Sequence, residues 1–448
     1  MALFGLSEKH TTLGRELRGG TTTFLAMCYI IFVQPAILQA AGMPFAGVMV
    51  ATCVSSAVAT VTMAFTANYP IALAPAMGHN AFFAFTVCGT LGFTWQQALA
   101  ANFLSGAAFV VLAFFGFRAR ILNAVPTCLK HGIAVGIGLL IAMIGLQWSG
   151  IVVAHPATYV GLGDLGSPAV IVAVSGLVVT AILLAVEVPG ALLLGILAST
   201  IGGAIAGIVQ FHGVAEWPHG VAETLFKLDF AGLFGSGFGS VLAVIFVFFF
   251  LDLFDSIGTL IGVADQAGFL EKDGTLPRAR QALLADAVGT VVGTCLGTST
   301  VSSYIESSTG VASGARTGAA NLATALLLIL AVFFHPLVAT VAASYEIAPG
   351  VRIYPVIAPV LILVGMFMMK GVTKIAWGDA TEAIPAFLAL MLMPLTFSIT
   401  EGIAAGFIVY SLLKLATGRF GEAHPLIHFF SGLFVVRYVL LGTGVVAS

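Results

Sequence analysis

Residues 293–308 read GTCLGTSTVSSYIESS, an irregular run of Gly, Thr and Ser leading into an apolar segment, 303–313, that is too short to cross a bilayer. A span takes about 20 mostly apolar residues. A second run of this kind, NYPIALAPAMGHN (68–80), leads into a second short segment at 79–91. Non-helical backbone inside a membrane survives only where protein or a water-filled cavity satisfies it. Interrupted segments at corresponding places in two halves of a chain point to the central binding site of a transporter. The plainer alternative is a pair of Gly/Pro kinks, but both breaks carry polar residues, which favours a site.

The membrane setting follows from composition. Of 448 residues, 59% are hydrophobic and 8% charged, and the mean hydropathy is +1.09. A soluble domain has about a quarter of its residues charged. We therefore expect an all-α polytopic membrane protein. Its segments lie at about 21–40, 46–66, 79–91, 96–116, 130–149, 168–186 and 189–210, then 238–262, 281–297, 303–313, 317–343, 354–370, 382–397 and 400–416. That is fourteen in two groups of seven, and the short ones are the third and the tenth. With a cytoplasmic N-terminus, all 17 Lys and Arg except Lys227 and Arg352 fall on the cytoplasmic side, as the positive-inside rule requires. This places both termini in the cytoplasm of a cell expected to carry the protein in its inner or plasma membrane. The tail, 424–442, holds Arg437 and two histidines and reads as an interfacial helix, with a fifteenth segment as the other reading. Residues 1–20 lack the core of a signal peptide and are expected to be retained. A net charge of −2 gives no footprint for nucleic acid, and the five cysteines lack metal-ligand spacing. There is no P-loop, HExxH or GxSxG, so neither ATP-driven transport nor hydrolysis has support. No enzyme activity, cofactor or metal is expected.

The chemistry is carried by acidic residues in apolar surroundings. In FVFFFLDLFDSIGTLIG (246–262), Asp252, Asp255, Ser256 and Thr259 share one helical face. Phe249, Phe250, Leu253, Phe254 and Ile257 fill the rest. A charge at a membrane helix centre costs on the order of 3 kcal/mol, so the polar stripe faces the protein interior. Two carboxylates a turn apart in low dielectric resist carrying two charges together, which makes the pair a candidate proton acceptor. Glu306, with Ser302 and Ser303 before it, is placed to accept two hydrogen bonds from a planar ligand edge. The half-helix start, near Thr298 to Ser302 and including Thr300 and Val301, is expected to point N–H groups into the site. At the first break, Asn80 offers a donor and an acceptor side by side, the pattern that reads a nucleobase edge. Gly78, Phe82 and Phe83 are expected to line the site, the phenylalanines stacking on a flat ring or simply packing. His79 titrates, donates, or is a bystander. Asp286, in the ninth segment, either pairs with a hydroxyl or joins the proton path.

The stretches GGTTTFLAMCYIIFVQPAIL, APAMGHNAFFAF, FLDLFDSIGTLIGVADQAGFL, LLADAVGTVVGTCLGTSTVSSYIESSTGVASGARTG and MPLTFSITEGIAAGF together resemble the AzgA-like purine permeases of the nucleobase–ascorbate (nucleobase:cation symporter) superfamily. The resemblance runs from about residue 10 to 416. It implies two inverted repeats of seven segments, with short strands around Ala74–Gly78 and Gly297–Val301 before the half-helices. It also implies a core domain (21–116 and 238–343), a gate domain (130–210 and 354–416), a 417–448 tail, and a homodimer. Such proteins carry adenine, guanine or hypoxanthine inward with protons. The positions matching the substrate-contacting motifs are Asn80, Asp252, Asp255 and Glu306, and Asp286 matches an acidic position of the ninth segment. Aligning on Gly258 favours Asp255 over Asp252 as the substrate contact. Where many members read PGMGLNA, this chain reads PAMGHNA, so Ala76 and His79 are local changes beside the binding asparagine. The expectation is a proton-coupled purine importer in the lipid bilayer. The alternatives are a uracil, xanthine or small-anion transporter of the same architecture, and, behind these, a channel or sensor.

Overall fold

Apolar runs with no water to hydrate their backbones close hydrogen bonds within themselves and so fold as helices. The computed structural model describes residues 4–115, 125–271, 276–348 and 351–442. Each expected segment coincides with helix in it. Segment 1 is Leu13–Met27 and Ile30–Gln39, segment 2 Phe45–Thr66, segment 4 Trp95–Phe115, segment 5 Thr127–Trp148, segment 6 Pro168–Ala185 and segment 7 Ala191–Ile205. Segment 8 is Phe238–Ala267, segment 9 Ala279–Leu296, segment 11 Ala319–Val341, segment 12 Ala358–Met368, segment 13 Ala380–Thr396 and segment 14 Ile399–Ala416. Segment 3 is Met77–Ala81, rewound as a π-helix over Phe82–Thr90, and segment 10 is Ser307–Ala312. Among the described residues, eight helices are long and apolar enough to cross a membrane by length and composition alone.

The packing shows the repeat. Segment 4 packs on 9 and segment 11 on 2; segment 1 packs on 11 and segment 8 on 4. Segment 5 packs on 13 and segment 12 on 6; segment 6 packs on 7 and segment 13 on 14. Adding seven converts each pair into its companion, while 2 on 9 and 5 on 12 map onto themselves. Seven crossings per repeat reverse the direction of entry, so the repeats are inverted. The helix contacts separate segments 2, 4, 9 and 11 from segments 5, 12 and 13.

Two strands meet where the repeats face each other. β1 (Leu73–Pro75) pairs antiparallel with a second strand, Val301–Ser303, with Ala74 opposite Ser302. The remaining backbone groups of this pair are met by threonines. Leu73 donates its N–H to Thr60 Oγ1 at 2.9 Å, and the same hydroxyl donates to the Leu73 carbonyl at 3.2 Å. Val301 does the same with Thr290, at 3.3 and 3.1 Å. Thr60 and Thr290 lie on the paired segments 2 and 9. Asn321 Nδ2 donates to the carbonyls of Tyr69 and Ile71 on the approach to β1. Gly297, which ends segment 9 at φ +100°, is held by space as well as conformation, since a Cβ there would lie 2.3 Å from Thr224 Cβ.

Three expectations shift. The strands lie at Leu73–Pro75 and Val301–Ser303 rather than around 74–78 and 297–301, because pairing of Ala74 with Ser302 draws the serines into extended backbone. Segment 10 therefore begins at Ser307 with Glu306 as its N-cap, and not near Thr298–Ser302. The tail helix, Pro425–Gly442, does not lie flat against one level of the molecule but runs antiparallel along segment 14. His428 Nδ1 is 2.6 Å from Ser411 Oγ, Ser431 Oγ donates to the Phe407 carbonyl at 2.7 Å, and Arg437 pairs with Glu401 at 2.8 Å. Its 18 residues extend about 27 Å at the α-helical rise. Arg437 thus sits at the end of segment 14 opposite Lys414.

The turn into the tail is held by charge. Arg419 bonds Asp379 and Glu422 at 2.8 Å each, and Lys414 bonds Glu382 at 2.8 Å and Glu422 at 2.9 Å. Hydrogen bonds from Arg419 and Thr381 hold the Asp379 carboxyl down to about 2, and those from Arg419 and Lys414 hold Glu422 down to about 2.

Two outcomes are expected. Thr60→Val or Thr290→Val leaves a buried N–H and C=O unpaired at about 1–3 kcal/mol each, so the thermal midpoint in detergent falls while Thr→Ser restores it; an unchanged Thr60→Val midpoint would dismiss the brace. The midpoint difference between wild type and Arg419→Ala should be full above pH 4.5, the ordinary value for Glu, and vanish as pH falls toward 2. A difference that survives at pH 2 would show that these carboxylates are not what Arg419 holds.

Candidate functional site between the two broken segments

Four pieces of chain converge on the strand pair: the break in segment 1 at Cys28–Tyr29, the start of segment 3, the middle of segment 8, and the entry to segment 10. Glu306 stands at the N-cap position of segment 10 without a capping bond from its side chain. Tyr29, at the break in segment 1, donates its hydroxyl to Glu306 Oε1 at 2.7 Å. Tyr304, two residues before Glu306, donates across the pair to the Pro75 carbonyl at 2.6 Å, and its ring lies 6.4 Å from that of Tyr29.

Segment 8 supplies the facing wall. Ser302 is hydrogen-bonded to Asp255, which also interacts electrostatically with Glu306 and Tyr304. Ser256 Oγ donates to Asp252 Oδ1 at 3.2 Å and lies 3.3 Å from Ser302 Oγ. Ser302 is therefore the hinge pin between β1's partner strand and both aspartates' helix. Ser303 Oγ donates to Asp286 Oδ1 at 2.8 Å, tying the strand to segment 9.

The carboxylates divide by exposure. Asp252 and Asp286 are fully buried, whereas Asp255 and Glu306 keep part of their surface accessible. Asp255 and Glu306 are thus the partly exposed acids of the cluster, close enough to influence each other. Asp252 and Asp286 are brought to the same strand from behind, each joined to a serine hydroxyl, the first through Ser256.

Asn80 is fully buried with its Oδ1 accepting from Ser299 Oγ, while Nδ2 meets the soft Met77 sulfur at 3.8 Å. Gln34 Nε2 donates to Thr298 Oγ1 at 2.9 Å and Ser299 Oγ at 3.1 Å, extending that network into segment 1. Thr300 Oγ1 donates to Asn102 Oδ1 at 2.7 Å, away toward segment 4, and Val301 is packed against Gly289 and Gly293. Gly78 stands against Ile137 of segment 5, where a Cβ would approach to 2.7 Å. The His79 ring donates to the Phe248 carbonyl and leaves Nε2 without a hydrogen bond among the described residues. Phe82 and Phe83 do not line an open space. They are 1% and 0% exposed and pack on Phe248, with ring centroids at 4.8 and 6.3 Å. Apolar rings on the buried side of a rewound helix go to the core before they go to a ligand.

Sequence reasoning did not find Tyr29, Tyr304, Gln34, Ser299 or Asn102 as members of this network. Gln34 had a signal, a buried amide one residue before Pro35 in an otherwise apolar span. Tyr29 had none, because a tyrosine in an apolar run looks like any interfacial aromatic.

A model described as a permease family matches residues 14–440. The adenine permease AdeP of Escherichia coli is 41% identical over 439 residues, covering 98% of this chain and 96% of its own. The guanine/hypoxanthine permease PbuO of Bacillus subtilis is 41% identical over 447 residues, covering 98% of this chain and 100% of its own. Among solved structures, the transmembrane domain of the cyanobacterial bicarbonate transporter BicA superposes with a TM-score of 0.65 at 14% identity, covering 88% of this chain and 97% of that one. At that identity the likeness is one of fold. The fold, the facing broken segments and the full-length relatives agree: the chain is a multi-pass membrane protein that belongs to the nucleobase–ascorbate transporter family of permeases.

Proposed function

We propose that this permease imports purine nucleobases, adenine, guanine or hypoxanthine, in symport with protons by alternating access. The observation that carries the reading is the partly exposed pair Asp255 and Glu306, with Ser302 bonded to Asp255 and Tyr29 donating to Glu306. A purine edge presents N–H donors to a carboxylate and ring nitrogens to a donor. Glu306 accepts from the N–H edge, and the bond from Tyr29 fixes its second oxygen. Asp255 takes the coupling proton, since two neighbouring charges in a closing site cost more than one. A carboxylate neutralised as the base binds lets the loaded core pass the gate at lower electrostatic cost. Asp252 and Asp286 act through Ser256 and Ser303 as positioning groups, and Asp286 also takes part in proton transfer. Asn80 holds a second edge of the base once its bond from Ser299 is exchanged, beside Gly78 and the half-helix amides.

The moving parts are the core (21–116 and 238–343) and the gate (130–210 and 354–416), with the gate providing a homodimer contact. The positive-inside pattern favours a cytoplasmic N-terminus in an inner or plasma membrane. The same pattern favours a cytoplasmic C-terminus. AdeP is named as an adenine permease and PbuO as a guanine/hypoxanthine permease, which favours a purine over a small anion.

Uptake of each labelled base, with and without an uncoupler and against competing uracil and xanthine, tests the reading. Asp255→Asn should abolish pH-gradient-driven accumulation; full accumulation by this variant counts against the coupling role. Tyr29→Phe removes a hydrogen bond to a charged group, about 1.5–3 kcal/mol, and should raise KM by roughly tenfold or more while leaving expression unchanged. An unaltered KM would separate Glu306 orientation from substrate binding.

A further inference from the structure

Away from the transport site, the chain linking segment 7 to segment 8 folds back onto segment 11. Glu216 donates its N–H to the Phe333 carbonyl at 2.9 Å, Trp217 packs on the Phe333 ring at 5.5 Å, and His212 donates its N–H to Thr340 Oγ1 at 3.0 Å. Pro218 sets the turn at a fixed φ, and Gly220 closes it at φ +82°. These constraints bring Glu216, His219 and His335 together, with one ligand atom from each lying within 4.8 Å of the others. The two imidazole rings stand at 4.7 Å and 69°.

The nitrogens are prepared for a cation. His219 Nδ1 lies 3.4 Å from the Trp217 carbonyl. A carbonyl only accepts, so Nδ1 carries the proton and Nε2 keeps its lone pair. A backbone carbonyl of this kind is the usual outer partner of a metal-bound histidine. His335 Nδ1 is buried and makes no hydrogen bond among the described residues. Such an atom normally has a partner. Glu216 and His219 are exposed and can rotate to shorten the spacing, whereas His335 is partly buried at the start of its helix. A cavity of 650 Å³, lined in part by His335 and His212, opens alongside and admits water.

We propose that Glu216, His219 and His335 bind a zinc ion that regulates transport. Two imidazoles and one carboxylate, with a fourth position open to water, are a zinc donor set; magnesium and calcium require mainly oxygen. The ion ties the 7–8 connection, which links gate to core, to segment 11 of the core. Occupancy therefore restrains the connection and slows the transport cycle. None of the three residues belongs to the proposed purine site, so the inference stands apart from that reading.

The test uses the purified full-length chain with any polyhistidine tag removed, titrated with zinc chloride by calorimetry and with cobalt chloride by visible absorption. One ion per chain is expected, with the intense d–d bands of a tetrahedral cobalt site. His219→Ala and His335→Gln should each weaken binding by roughly tenfold or more, and their thermal midpoints without metal show whether the fold is retained. In cells, zinc added on the loop face should slow uptake by wild type and leave uptake by His219→Ala unchanged. Absent binding, or binding unaltered in the folded double variant, overturns the site. Stoichiometric binding without any change in uptake overturns the regulation.

Discussion

The molecule depends on a constraint that no apolar surface can meet: extended backbone at mid-membrane depth must find hydrogen-bond partners without water. Two threonines do this symmetrically. Each gives one hydroxyl, as acceptor and donor, to a single strand residue, Thr60 to Leu73 and Thr290 to Val301. The strands can then pair with each other through the remaining groups. The arrangement also joins the breaks to segments 2 and 9, which pack on one another. The strand pair and these two helices are consequently one mechanical piece, and any motion that relocates the site carries all of them.

That piece presents its side chains in two directions. Ser302 and Ser303 are neighbours on a strand and so point to opposite faces. One reaches segment 8, with Asp255 and Ser256, and the other reaches Asp286 on segment 9. A guest that disturbs Asp255 is thereby coupled through one strand to a second, fully buried carboxylate. Alternation in a strand of three residues is enough to connect two acids 31 positions apart in the sequence, Asp255 and Asp286.

The architecture was legible because the bilayer restricts what an apolar run can become, and each of the fourteen expected segments overlaps helix. The interrupted segments were legible for a related reason, since Gly, Pro and Thr in a span have few uses. What escaped was set by long-range partners. The start of segment 10 moved from 303 to 307 because Ser302 pairs with Ala74, more than two hundred residues away. Tyr29 lay unseen for the same reason, its role being fixed by Glu306. Phe82 and Phe83 pack on Phe248 because their helix is rewound, which no hydropathy window reports. The packing of the tail escaped for the same reason, since hydropathy does not report that Ser431 and Arg437 dock it along segment 14.

The tail helix follows the second repeat and packs on that repeat alone among the described residues. Two interchangeable halves would give a transporter whose end states, one open to each side, are equal in energy by construction. The tail touches segment 14 along its length and segment 8 through Phe430 on Phe246. It therefore ties the last segment of the second repeat to the first segment of that repeat, so the two halves are not energetically equivalent.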